Sequence, residues 1–266
     1  MQKIKFESSA RDIAIDGPAG VGKTTLGNEM AKCIDGGFHV DTGSLHRIVT
    51  AFGLWKQLSP EQLAQKTDLL LEDFGQLGLQ QLSGHDHPSW IPEQFHIRSA
   101  DVNTHVPYYA NDPVLRPLVG EETDRIALDN ADRCLIYNGR GEYQRIIASE
   151  LSSHLLLGLY LSLGAHERAR RRALEILGRE PTEDETTYEV VRLEHRDEGD
   201  AANLVKDPDC QDALIDDFLN GTSNWTPSEL IGCPQLDLGM EGFDVVDVPV
   251  FTRNLLSRHV KVTLLN

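Results

Sequence analysis

Short apolar runs alternate with longer stretches of helical periodicity along this chain. Residues 12–16 (DIAID) form a β-branched run that stops at a glycine, which predicts a buried strand. Leu26, Met30 and Cys33 then recur at helical spacing across 24–33, and Gly36 with Gly37 ends that helix. Residues 38–41 (FHVD) read as a second strand, followed by a helix over 44–55. The stretch 59–74 opens on Ser59-Pro60 with Glu61 in its first turn, the signature of a helix start. Between 75 and 95 the pattern breaks into short β-like or loop pieces. Helices fit 100–110 and 112–129, with Asp112-Pro113 as a start. Residues 134–138 (CLIYN) and 155–163 read as buried strands, 165–177 as a helix, and 243–249 (FDVVDVP) as a last core strand. Strands alternating with helices predict an α/β fold, with a parallel sheet covered by helices on both faces in three layers.

Composition narrows the class. A chain of 266 residues with 40% hydrophobic and 25% charged content is that of a globular protein with a substantial core. No run approaches the apolar length of a membrane span, and the first residues lack the apolar middle of a signal peptide. A cytoplasmic chain with no membrane partner is expected. The formal charge of −17 argues against a nucleic-acid partner, because phosphate backbones are held by excess Lys and Arg. Fourteen of the 42 acidic residues fall between Glu180 and Asp217, which reads as a solvated face. Cys33, Cys134, Cys210 and Cys233 have no metal-site spacing and read as ordinary thiols. His85, Asp86, His87 and His96 lie on a loop, where solvated side chains are a simpler reading than metal ligands.

The candidate chemistry starts at GPAGVGKT, residues 17–24. Gly17, Gly22, Lys23 and Thr24 satisfy GxxxxGK[ST] between a predicted strand and a predicted helix. Glycines let successive N–H groups point inward at phosphate oxygens, and the following helix adds its positive end. Gly17, Pro18, Ala19, Gly20, Val21, Gly22, Lys23, Thr24 and Thr25 are therefore the candidate ATP-binding residues. Lys23 reaches the β- and γ-phosphates, and Thr24 supplies a hydroxyl to Mg²⁺. There is no NKxD for guanine. The strand CLIYN ends in Asn138, where motor ATPases carry an acid, although Asp247 could supply one. A small-molecule kinase fits best, and it needs a second anion site facing the first.

Five further blocks point to that second site: DTGSLHR at 41–47, IRSADVN at 97–103, NGRG at 138–141, LYLSLGAHERARRR at 159–172 and RDEGDAAN at 196–203. With the phosphate loop, in this order, the chain resembles the bacterial cytidylate kinase family over roughly residues 12–203. The resemblance implies a P-loop kinase core (1–74 and 111–266), a nucleoside-monophosphate-binding insertion (75–110) and a helical lid (about 167–204). It also implies ATP and Mg²⁺ as donor and cofactor, and a monomer or weak homo-oligomer. Arg47 and Arg140 would clamp the acceptor phosphate with Thr42 beside them, and Arg98 would face the acceptor base. Asp200 would take the ribose hydroxyls and Arg196 the phosphates, while Asp41 would hold Mg²⁺-bound water or the acceptor end. Lys23, Arg140 and Arg196 are the candidate catalytic residues.

The chain departs from the family pattern on the acceptor side. Gly141 stands where DGRD has its second Asp, which helps read cytosine, and Asn138 where it has the first. Asn203 replaces the last Arg of RDxxDxxR, and His46 a Tyr. With no side chain at Gly141 to accept from the amino group, the expected discrimination of C from U is poor. The default expectation is phosphoryl transfer from ATP to CMP or dCMP. A same-fold kinase for a modified nucleotide or other small acceptor is the first alternative, and a nucleotide-binding protein with little turnover is the second.

Overall fold

In the computed structural model, residues 3–6, 10–83, 86–199, 211–213, 235–259 and 262–265 are described. The strands are β1 (Lys3–Phe6), β2 (Asp12–Asp16), β3 (Gly37–Asp41), β4 (Cys134–Asn138), β5 (Leu155–Ser162), β6 (Gln211–Ala213), β7 (Gln235–Gly239) and β8 (Val262–Leu265). Six of them form one parallel sheet in the order β3-β4-β2-β5-β7-β6, while β1 pairs antiparallel with β8.

Strand periodicity explains the two cores. Ala14 of β2, Leu135 and Tyr137 of β4 and Val40 of β3 face one side; Ile13, Ile15, Cys134, Ile136, Leu157, Leu159 and Leu161 face the other. Both sets are buried, which is why these runs are continuously apolar rather than alternating. On the first side, α2 (Gly43–Lys56) packs Leu45, Ile48, Val49 and Phe52 against α6 (Ala100–Ala110) and α7 (Leu115–Leu128). On the second, α1 (Lys23–Cys33) packs Leu26 and Met30 against α11 (Val248–His259). Close approach is built in: a Cβ at Gly53 would lie 2.4 Å from the Tyr109 ring, and one at Gly27 2.5 Å from His39.

Three expectations are corrected. The 59–74 helix is two, α3 (Pro60–Ala64) and α4 (Thr67–Phe74). A capping box between Ser59 and Gln62 starts the first, and Lys66 leaves helical dihedrals at φ −129°, ψ 36°. Leu63, Leu70 and Phe74 still share one core. The 75–95 stretch holds a helical turn, α5 (Leu79–Leu82), and a 3₁₀ turn at Glu93–Phe95, with no strand among the described residues. The expected strand at 243–249 is a turn into α11, and the sheet takes β7 instead. The reason is period: Val248, Phe251, Leu255 and Leu256 are buried at helical spacing, and seven residues were too short to show it. Asp247 therefore sits on a 3₁₀ turn, not at a strand end.

Candidate active site

The carboxyl ends of β2, β3 and β4 converge, as expected for a ligand crevice in a parallel sheet. Beyond β2 the phosphate loop turns on Gly17, Gly20 and Gly22, all with positive φ. A Cβ at Gly17 would sit 2.5 Å from the carbonyl oxygen of Leu161, so only glycine fits there. Lys23 Nζ donates to the carbonyls of Gly17 and Pro18 at 2.6 and 2.8 Å. Burial brings its ammonium down from 10.5 to about 7, and Arg140 and Arg196 add repulsion. Thr24 and Thr25 are exposed at the start of α1, as a hydroxyl meant for a ligand requires. The Asn138 carboxamide lies 2.9 Å from Thr24 Oγ1. With its oxygen turned to Thr24, its nitrogen donates to His39 Nε2 and the Val40 carbonyl.

The loop is braced by a pair not anticipated from the sequence. Arg168, on α9 (Ala165–Leu177), is buried and donates to the Leu163 and Ala19 carbonyls and to Asp197 at 2.6 Å. Asp197, on α10 (Glu183–Gly199), also accepts from Ala19 N at 3.3 Å. Helices α9 and α10 are thus tied to the phosphate loop. The neighbouring Arg170, Arg171 and Arg172 are paired with Glu167, Glu180 and Glu175. The basic run ERARRR hides one buried arginine among three surface ones, and residue type alone does not separate them.

On the other side of the crevice a cavity of about 100 Å³ is lined by Thr42, His46, Arg116, Arg140, Glu142 and Arg145 among others. Of the candidate acceptor residues, Thr42 and Arg140 line it. Arg47 lies beside it, paired with Asp41 at 3.1 Å, and Asp41 also accepts from Gly43 N. Asp41 thereby orients Arg47. Arg98 is exposed just before α6 and does not line the cavity. Arg116, on α7, is a cavity residue that the motif comparison missed, because the first turn of a helix carried no matched block. Asp200 lies outside the described residues, as do Asn203, His85, Cys210 and Cys233. His87 stacks on His96 at 4.7 Å and bonds the Ile91 carbonyl, and no His, Cys, Asp or Glu group suited to a metal occurs among the described residues. Cys33 and Cys134 are buried thiols.

The site is cationic within an acidic protein. Burial lowers Arg140 to about 9, and Arg196 and Arg116 reinforce the shift by repulsion. Arg196 still meets solvent, but the cleft walls desolvate it first, and Arg172 and Arg47 then repel it. His46 falls to about 4 through burial and then Arg116 and Arg47, so it is neutral at physiological pH. Cations gathered against their own repulsion are a site for a polyanion. Asp16 closes the geometry: it accepts from Glu142 N and Tyr143 N at 2.9 Å, fixing α8 (Glu142–Ile147) to the end of the phosphate-loop strand.

Fold and site together define a P-loop α/β protein with an arginine-lined cavity beside its phosphate loop. The family model for cytidylate kinase matches residues 13–231. A cytidylate kinase of Alkaliphilus oremlandii is 30% identical over 208 residues, covering 77% of this chain and 88% of that protein. One of Caldanaerobacter subterraneus subsp. tengcongensis is 28% identical over 195 residues, covering 70% and 79%. A bifunctional pantoate ligase/cytidylate kinase of Synechococcus is 26% identical over 235 residues, covering 82% of this chain but 44% of that protein. The chain thus spans less than half of the bifunctional relative and most of the single-function ones. It belongs to the cytidylate kinase family, a family of nucleoside-monophosphate kinases. No helix among the described residues is long and apolar enough to cross a membrane.

Proposed function

We propose that this protein transfers the γ-phosphoryl group of ATP to a pyrimidine nucleoside monophosphate, with CMP or dCMP as acceptor. The observation that carries the reading is that Arg140 and Arg196 lie close enough to Lys23 to depress its proton affinity, and Arg196 close enough to depress that of Arg140, beside a cavity holding Thr42, Arg116 and Arg140. Phosphoryl transfer asks for positioning and charge neutralisation rather than covalent help from the protein. Lys23 and the loop amides hold the donor phosphates. Arg140, Arg47 and Arg116 hold the acceptor phosphate as planar forks. Arg196, on the lid helix α10, adds a cation from above. No general base is needed, because the acceptor oxygen is already a phosphate anion.

The exposed Thr24 hydroxyl at the helix start would hold Mg²⁺, a hard cation that takes oxygen ligands. When bound, Mg²⁺ neutralises charge on the transferring group. Residues 75–110 serve as the acceptor-binding insertion and 167–204 as the lid that excludes water from the phosphoryl group. ADP release measured over a panel of nucleoside monophosphates tests the reading. Turnover with CMP or dCMP is expected. Turnover only on another acceptor, or ATP binding with none, overturns it.

A further inference from the structure

Gly141 leaves the expected base-reading position without a side chain, yet the cavity is not without a carboxylate. The next residue, Glu142, is buried and lines it. Its side chain lies across Gly139, where a Cβ would come within 2.5 Å of both Glu142 Cγ and Thr42 Oγ1. Its backbone N–H is held by Asp16. Glu142 Oε1 accepts from Thr42 Oγ1 at 2.9 Å, and Oε2 accepts from Arg145 Nε at 3.0 Å. An ionised carboxylate has about four acceptor positions, so two remain.

Beside it stands a donor. Arg145 Nη1 is engaged by Asp124, but Nη2 is buried and meets no hydrogen-bond partner among the described residues. A buried donor of this kind costs stability until something accepts from it. Two residues that line the cavity thus hold an acceptor next to a donor. Cytosine carries the matching edge, an N4 amino donor beside the N3 acceptor. Uracil carries the reverse, an O4 acceptor beside an N3–H donor, and would face like against like at both positions.

We propose that Glu142, with Arg145 beside it, reads the base edge and selects cytosine over uracil, in place of the side chain absent at Gly141. This rests on the nucleoside-monophosphate reading above. A purely structural role is the competing account, since the Asp124–Arg145–Glu142 chain also ties α7 to α8.

The ratio of kcat/KM for CMP to that for UMP separates the two accounts. Glu142→Gln keeps the size and the acceptor for Thr42, but offers the base an amide. The ratio is expected to fall at least about tenfold, mainly through the KM for CMP, with kcat changed by less than about threefold. A loss equal for both nucleotides overturns the proposal. A second measurement uses the unaltered protein and a CMP analogue carrying hydrogen in place of the amino group at C4. Its KM is expected to rise by a similar factor, and a KM equal to that of CMP overturns the proposal even if the variant does not fold. Brisk CMP turnover with an unchanged ratio defeats the role of Glu142 alone. No turnover on either pyrimidine defeats the underlying reading as well.

Discussion

Replacing Asp197 by alanine removes the carboxylate that ties α10 to the phosphate loop. Arg168 then keeps the Leu163 and Ala19 carbonyls at 3.1 and 2.9 Å but loses its only charged partner in that set, at 2.6 Å. Ala19 N also loses an acceptor, though at 3.3 Å a weak one. A hydrogen bond to a charged group contributes about 1.5–3 kcal/mol, and breaking a fully buried pair costs about 3–5 kcal/mol. The side chains here are 9% and 18% exposed and two carbonyls remain, which places the cost near the lower values, at about 2 kcal/mol. The loss falls on one contact of a helix that otherwise packs on α9 through Leu193, so α10 opens locally before the sheet unfolds. At about 1.4 kcal/mol per tenfold, amide hydrogen exchange across Glu183–Gly199 should accelerate by about 30-fold. Exchange in β2 and β4 should stay unchanged. Acceleration of α10 by less than about threefold would refute the assignment of Asp197 as the tie.

Further outcomes follow from the same geometry. Lys23 has its folded-state value near 7 against an ordinary 10.5, so the unfolded chain binds more protons between those pH values. Its penalty is full below about pH 7 and fades as pH rises toward 10.5. Lys23→Met should therefore raise the thermal midpoint at pH 6.5 while abolishing ATP binding, and the gain should shrink steadily as pH rises above about 7 and be nearly gone by about 10.5; a gain constant with pH contradicts this. Gly17→Ala forces a Cβ against the Leu161 carbonyl at φ 136°, and urea denaturation should show a loss of about 2–3 kcal/mol. Arg116→Ala should raise the acceptor KM at least about tenfold and leave the ATP KM within about twofold, measured by ADP release. Gly141→Asp, with Glu142 already serving the base, should move the CMP-to-UMP ratio by less than about threefold.

Much of this protein was legible in local pattern. The buried strands DIAID and CLIYN, the helix at Ala165–Leu177 and the glycine turn into α1 depend on residues within a few positions of one another. Backbone geometry and burial of contiguous apolar runs act at that range, so period and punctuation report them. The phosphate loop belongs to the same class, because the chemistry of GPAGVGKT is carried by one loop and the helix behind it.

What needed the tertiary structure was every pairing between distant segments. Arg168 and Asp197 are 29 residues apart in sequence and meet only because α9 and α10 pack together. Arg116 enters the cavity because the first turn of α7 comes to lie near Arg140 and Gly141, just beyond β4, and no short motif records that. The carboxylate that faces the cavity is Glu142 rather than the vacant Gly141 position because Asp16 fixes the first turn of α8 and Gly139 clears space above it. Motif comparison scores a side chain at a position. Recognition depends on where a charged atom lies in space, and one residue of displacement along a turn can be made up by a longer side chain.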